Sequence, residues 1–123
     1  MGRIELDDAG WVNGRGYRKN RLVDAAMFAC PGTLAQLVVI EPHQMIPDHV
    51  HQTSFEFYVV MDGACRLVIN DETHLLTAGD MFLTQPGDVH RLYNDGDEPF
   101  RLLVFKTNAA PHDTFWVEDT TNE

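Results

Sequence analysis

Short hydrophobic segments separated by turn residues run through most of this chain. Several alternate apolar and polar positions, the pattern of a β-strand with one buried face. Turn signals recur roughly every ten residues, a spacing typical of an all-β sandwich or barrel. A convincing helical period is absent from the sequence, although a short helix is expected near residues 23–27. The predicted strands are residues 33–41, 56–61, 65–69, 73–77, 81–85, 90–93 and 100–106.

Three dipeptides mark tight turns between these strands. Asp62-Gly63 is a hairpin signal because glycine tolerates the positive φ that such turns require, and Asn70-Asp71 marks a second hairpin. Pro86-Gly87 fits the two central positions of a type II turn. These turns indicate antiparallel strands that follow one another along the chain.

The length of 123 residues suits one domain with one core. The N-terminal part is less regular than the rest, because several glycines interrupt any strand pattern. We therefore expect an N-terminal extension at residues 1–30 that packs on the barrel or on a partner, a β-barrel at residues 31–108 and a C-terminal tail at residues 109–123.

Three histidines and one glutamate form the strongest chemical signal in the chain. His49 and His51 are two residues apart, so on a strand both side chains point to the same face. Glu56 follows after a short bend, and His90 must arrive from a distant strand. Three imidazoles and a carboxylate are suitable ligands for a divalent metal ion. A closed or two-layered β fold is needed to bring the four together.

The residues around these ligands resemble the two signature motifs of the cupin superfamily. The resemblance covers residues 33–106 and has two departures: His43 stands where the family pattern has glycine, and Gln85 where it has proline. It implies an all-β double-stranded β-helix (jelly-roll) barrel with a metal bound inside, and it does not imply a single reaction. The matching segments read His49-x-His51-x4-Glu56-x6-Gly63 and Gly79-x5-Gln85-x-Gly87-x2-His90-x3-Asn94.

The expected cofactor is one divalent transition metal per chain, with Mn, Fe, Zn and Ni all open. We expect an enzyme that acts on a small oxygen-bearing substrate, with dioxygenation as the first choice because the inferred pocket is apolar. Isomerisation or epimerisation is the alternative, and it requires a positioned proton donor or acceptor. Tyr58 is the candidate catalytic residue. A non-catalytic module that binds a small molecule is the third possibility.

Strand alternation predicts which side chains face the metal. If Glu56 points inward, Phe57, Val59 and Met61 form an apolar stripe on the opposite face. Monomers seldom expose such a stripe, so we expect a homodimer that buries it, or cover by the N-terminal segment at residues 11–17. The residues expected to share the inward face are Tyr58, Val60, Leu92 and, if Gln36 is inward, Leu34, Val38 and Ile40.

Charge and cysteine content narrow the class of partners. The net charge is −10, so a binder of nucleic acid or anionic membrane is not expected. The short basic run at residues 15–21 is interpreted as a solvated turn. The two cysteines, Cys30 and Cys65, are too few and too far apart for a disulfide framework. The N-terminus lacks the apolar run of a signal peptide, and we expect a cytoplasmic protein with reduced thiols.

Overall fold

The computed structural model describes residues 2–118, which form two antiparallel β-sheets packed face to face. One sheet has six strands in the order β1-β2-β3-β10-β5-β8, and the other has five in the order β11-β4-β9-β6-β7. The all-β prediction is confirmed. The strands are β1 Trp11–Asn13, β2 Arg18–Val23, β3 Leu34–Ile40, β4 Met45–Val50, β5 Phe55–Asp62, β6 Ala64–Ile69, β7 Glu72–Thr77, β8 Met81–Thr84, β9 His90–Tyr93, β10 Phe100–Thr107 and β11 Phe115–Trp116.

The hydrophobic core lies between the two sheets, where inward side chains of both interdigitate. On β5, Tyr58 and Val60 are buried, whereas Phe57 and Met61 are 39% and 50% exposed. The predicted alternation of this strand is therefore confirmed. The buried cluster consists of Val38, Ile40, Ile46, Tyr58, Val60, Cys65, Leu67, Leu76, Leu92, Phe100, Leu102, Val104 and Trp116.

The three predicted turns are present and have clear backbone causes. Asn70 and Asp71 both have positive φ, 47° and 68°, as a type I′ hairpin requires. Gly63 has φ 82°, and a Cβ there would lie 2.6 Å from a backbone oxygen. Gly87 has φ 91°, and the Asp88 N–H donates to the carbonyl oxygen of residue 85 across the turn at 3.1 Å.

The N-terminal region is more ordered than its sequence indicates. Strands β1 and β2 form a hairpin that extends the six-stranded sheet beyond β3. The expected short helix is present as α1, Ala25–Phe28, after a 3-10 turn at Asp8–Gly10. The Asp24 carboxylate caps α1 by accepting from the Met27 N–H at 2.9 Å. The first four residues of β2 are polar, three of them charged, which is why its sequence does not show a strand pattern.

The position of β1 and β2 corrects one expectation. They lie at one edge of the six-stranded sheet, whereas β5 and β8 lie at the other. Cover of the Phe57, Val59 and Met61 stripe by residues 11–17 is therefore wrong.

The division of the chain at residues 30 and 108 stays a prediction, and residues 119–123 of the expected tail lie outside the described part. Within residues 2–118, helices of membrane-spanning length and apolarity do not occur.

Candidate metal centre

The four predicted ligands meet inside the barrel. His49 on β4 pairs directly with His90 on β9, and His51 follows β4 by one residue. All three imidazoles are buried, and their ligand atoms lie within 4.8 Å of one another. Glu56 on β5 is also buried, with Oε1 2.6 Å from His51 Nε2 and 3.7 Å from His90 Nε2. The structure thus brings together residues that are separated by up to 41 positions in the chain (90 − 49).

Each imidazole is oriented by a hydrogen bond from its Nδ1 to a backbone carbonyl. The acceptor for His49 is the carbonyl of Pro47 at 2.8 Å, and for His90 it is the carbonyl of Asp88 at 3.0 Å. His51 instead donates to the carbonyl of Asp113 at 2.9 Å. Donation from Nδ1 leaves the Nε2 lone pair free, which is the arrangement found in histidines that bind metals.

The donor set fits a divalent transition metal. His51 Nε2 is fully buried, and its short contact with Glu56 lacks the geometry of a hydrogen bond, so this nitrogen has no hydrogen-bond partner. A buried nitrogen without a partner is costly unless another group accepts its lone pair. An ion held by His49, His51 and His90, with Glu56 beside them, would satisfy it. Imidazole and carboxylate together suit Zn, Fe, Ni or Mn.

Two pKa shifts keep the ligands in the form that binds metal. Burial, with a further contribution from the charge of His90, lowers the pKa of His49 from 6.5 to about 3. Burial alone would raise the pKa of Glu56, but the Lys106 charge and contacts with His51 and His90 outweigh it and hold that pKa well below its usual value. A neutral imidazole and an ionised carboxylate are the ligand forms that metal binding requires.

A short C-terminal segment, residues 113–116, lies against the ligands, and we call it the C-terminal strap. The Asp113 carboxylate accepts hydrogen bonds from the backbone N–H groups of Gln52, Thr53 and Ser54, at 2.9, 3.2 and 3.0 Å. The hydroxyls of Thr53 and Ser54 donate to it as well. Burial opposes ionisation here, but these donors hold the pKa of Asp113 well below its usual value. The strap thereby fixes the loop between His51 and Glu56.

The other end of the strap contacts His49. Trp116 on β11 pairs with His49 on β4, and their ring centroids lie 5.1 Å apart. The sequence did not reveal this role, because Asp113 and Trp116 lie in an otherwise polar tail without a motif. The signal was the pair of late aromatic residues, which needed a surface to bury against.

A cavity of about 70 Å³ lies above the ligands. Its wall includes several aliphatic side chains, and the polar side chains of Lys19 from β2, Gln36 from β3 and Lys106 from β10 also reach it. Gln36 faces inward, which was one of the two orientations that the sequence left open for β3. The sequence analysis did not place either lysine in the cavity. Because Leu102 and Val104 of β10 are buried, strand alternation predicts that Lys106 points to the same inner face. The apolar residues of the wall are Val38, Ile46, Leu92, Leu102 and Val104.

Tyr58 lies at the base of the site and contacts the ligands. Its hydroxyl donates to Glu56 Oε1 at 3.1 Å and lies 3.2 Å from His90 Nε2 and 3.3 Å from the Thr84 hydroxyl. Burial and then the charge of Glu56 raise the pKa of Tyr58 well above its usual value, so the hydroxyl stays protonated. These contacts orient Glu56 and His90. A catalytic role for Tyr58 stays a prediction.

Comparison with known proteins agrees with this geometry. The Cupin domain family matches residues 36–106, and this stretch carries all four ligands. The chain belongs to the cupin family. Protein SchB of Streptomyces halstedii is 35% identical to this cupin over 118 residues, which cover 95% of the chain and 85% of SchB.

Other relatives match over shorter stretches. Polyketide synthase CurC of Streptomyces cyaneus is 34% identical over 85 residues, which cover 68% of this cupin and 54% of CurC. A putative germin-like protein 9-2 of Oryza sativa subsp. japonica is 37% identical over 79 residues, and the match spans 60% of this cupin but only 37% of the germin-like protein. This cupin therefore corresponds to a part of some of its relatives.

Among solved structures, the polyketide cyclase RemF from Streptomyces resistomycificus superimposes with a TM-score of 0.78. The alignment covers 98% of this cupin and 89% of RemF at 20% sequence identity. Agreement at this identity shows a shared fold, the cupin double-stranded β-helix.

Proposed function

We propose that this cupin is a metal-dependent enzyme that acts on a small oxygen-bearing substrate. His49, His51, Glu56 and His90 would hold one divalent ion of Mn, Fe, Zn or Ni. The observation that supports this most strongly is the convergence of three buried Nε2 atoms and a buried carboxylate beneath a cavity. A bound ion would supply Lewis-acid polarisation of a substrate oxygen, or an open position for dioxygen.

Dioxygenation is the first candidate reaction. The cavity wall is built largely from aliphatic side chains of both sheets, including Val38, Leu92 and Val104. Such a wall excludes water from a reactive intermediate, and it accepts the apolar part of a substrate.

Isomerisation or cyclisation of an enolisable substrate is the second candidate. An enolisable substrate that has lost a proton to water carries negative charge on its oxygen, and the ammonium groups of Lys19 and Lys106 would stabilise this enolate. The polyketide-related name of the relative CurC agrees with a substrate of this chemistry. Tyr58 would be the proton donor, and Tyr58→Phe should then lower turnover per bound metal ion, with metal content measured alongside because the Tyr58 hydroxyl also contacts Glu56 and His90.

One experiment separates the two reactions from simple binding. The protein is loaded in turn with each candidate metal and incubated with β-diketones and β-keto acids, with and without oxygen. Oxygen uptake that matches substrate loss supports dioxygenation, and an isomerised or cyclised product without oxygen supports proton transfer. Binding without turnover under every condition would refute the enzyme and leave a non-catalytic small-molecule-binding cupin.

We also propose that this cupin is a cytoplasmic homodimer. Both cysteines are free in the structure, as a reducing compartment would keep them. The outward stripe of β5 continues onto its neighbour β8, whose residues Met81 and Leu83 are 65% and 50% exposed. Burial of this continuous apolar surface against a second copy would remove it from water.

A further inference from the structure

We infer that the cavity binds its substrate as an anion, with the anionic oxygen, a carboxylate or an enolate, placed between Lys19 and Lys106. This inference rests on the proposed function, because it names the class of substrate for the same site.

Strand register places both lysines on the inner face of the six-stranded sheet. Lys19 on β2 stands opposite Val38, and Lys106 on β10 stands opposite Glu56. Both lysines and Thr114 also line an outer cleft of about 410 Å³. The two lysines therefore lie on the wall that the outer cleft and the inner cavity share.

The charge of the cavity is unbalanced. Its lining contains two lysines and a single carboxylate, Glu56, which lies 3.8 Å from the Lys106 ammonium. Burial lowers the pKa of Lys19, and the Lys106 charge lowers it further, so the two ammonium groups repel each other. A divalent ion beside Glu56 would increase the excess of positive charge. Charges that are partly removed from water are normally paired, and an anionic substrate would supply a partner for the half-buried Lys19.

Two further polar atoms of the lining have no hydrogen-bond partner. The Gln36 amide oxygen and the Trp116 indole N–H are both fully buried and unpartnered. The first is an acceptor and the second is a donor. A substrate that satisfies both carries a hydroxyl or N–H group for the Gln36 oxygen and an oxygen that accepts from the Trp116 N–H. The matching class is a small, oxygen-rich organic acid or enolate.

The test uses two probes of nearly the same shape. Acetoacetate carries a carboxylate where acetylacetone carries a neutral methyl ketone. Binding of each to the metal-free and the zinc-loaded protein is measured by titration calorimetry and Trp fluorescence. We expect acetoacetate to bind both forms, and Lys19→Met to weaken that binding by about tenfold to a hundredfold, the effect of removing one charge-assisted hydrogen bond. Acetylacetone binding should depend on Lys19 only to the extent that it binds as its enolate, which a pH series reveals.

Arg101→Met is the matched control. It removes one positive charge from β10 at an exposed position beside Asp62, away from the cavity, and it should leave acetoacetate binding unchanged. Lys106→Met should weaken binding like Lys19→Met. Equal acetoacetate affinity in wild type and Lys19→Met, or no binding by wild type at millimolar concentration, would overturn the inference. A lysine-dependent affinity in a protein without turnover would leave the inference standing while the proposed enzyme fails.

Discussion

His90 and His51 have the same chemistry, but they are oriented in different ways. The carbonyl that fixes His90 belongs to Asp88, two residues earlier on the same turn, and His49 is held in the same local way by Pro47. The carbonyl that fixes His51 belongs to Asp113, 62 residues away in the C-terminal strap. Two ligands are thus oriented by their own strands, and the third depends on a distant segment.

This difference shows that the candidate metal site includes more of the chain than the ligand motif does. A local carbonyl is in place as soon as its strand forms. A distant carbonyl is in place only when the strap docks, which requires the Asp113 hydrogen bonds to the loop after His51 and the burial of Trp116. The geometry of the four candidate ligands therefore also depends on residues outside the matching family segment.

The largest effect is expected from removing a ligand, whether its orienting carbonyl is local or distant. His51→Ala and His90→Ala should each lower metal affinity by more than about a hundredfold, which exceeds the usual loss from changing an outer partner of a ligand. Elemental analysis after dialysis measures this, with His74→Ala, a partly exposed histidine outside the cluster, as the control. Full metal retention in His51→Ala would refute the site.

A smaller loss is expected from the strap. Asp113→Ala removes the acceptor of the loop N–H groups and leaves that of the buried Ser54 without its partner, so metal affinity should fall about tenfold to a hundredfold. The matched control is Asp80→Ala, which removes a carboxylate that caps the turn after β7 through the Thr77 N–H. Competition with a chelator gives both affinities. Equal affinity in the two variants would show that His51 is oriented without the strap.

Acid should destabilise the metal-free protein. The pKa of His49 is 6.5 in the unfolded chain and about 3 in the fold, so the unfolded chain binds a proton that the folded chain does not. The contribution of His49 to the free energy of unfolding is therefore fully present above pH 6.5. It falls as the pH drops towards 3, by at most about 1.4 kcal/mol per pH unit. The lowered pKa values of Glu56 and Asp113 act in the same direction at lower pH.

Thermal melts in the presence of a chelator measure this slope. His49→Gln removes the titrating imidazole and should flatten the slope between about pH 6.5 and pH 4.5. A wild-type melting temperature that rises as the pH falls through this range would contradict the assignment.

The smallest effect on the metal site is expected from the outward stripe. Val59→Glu should separate a homodimer into monomers of 13.9 kDa. Metal affinity should stay within about twofold of wild type, because the carbonyl groups that orient the three histidines do not lie on this face. Light scattering behind a sizing column measures the mass. A wild-type protein that already runs as a monomer at every concentration would refute the dimer.

The sequence predicted most of the fold because turns and alternation are local signals. It also contained two departures from the family motif that the structure explains. His43 stands at the glycine position with φ 63°, a left-handed conformation that histidine adopts more readily than most residues do. Gln85 stands at the proline position and donates its N–H to the Asp88 carboxylate at 2.8 Å, a bond that proline cannot make.

The parts that the sequence did not predict depend on distant contacts. Strand β2 begins with four polar residues, and its strand structure comes from pairing with β3, which has its own strong pattern. The position of Lys19 in the cavity follows from that pairing, so it could not be read from neighbouring residues. The link between Asp113 and His51 likewise joins segments whose proximity only the fold creates.

The position of the strap also has a consequence for biosynthesis. A ribosome makes the chain from its N-terminus, so all four ligands emerge before residues 113–116. The barrel strands can pair while His51 still lacks the carbonyl that orients it. The proposed metal site would therefore be complete only after the strap has been made, and a chain shortened to residue 108 would hold its ion less tightly.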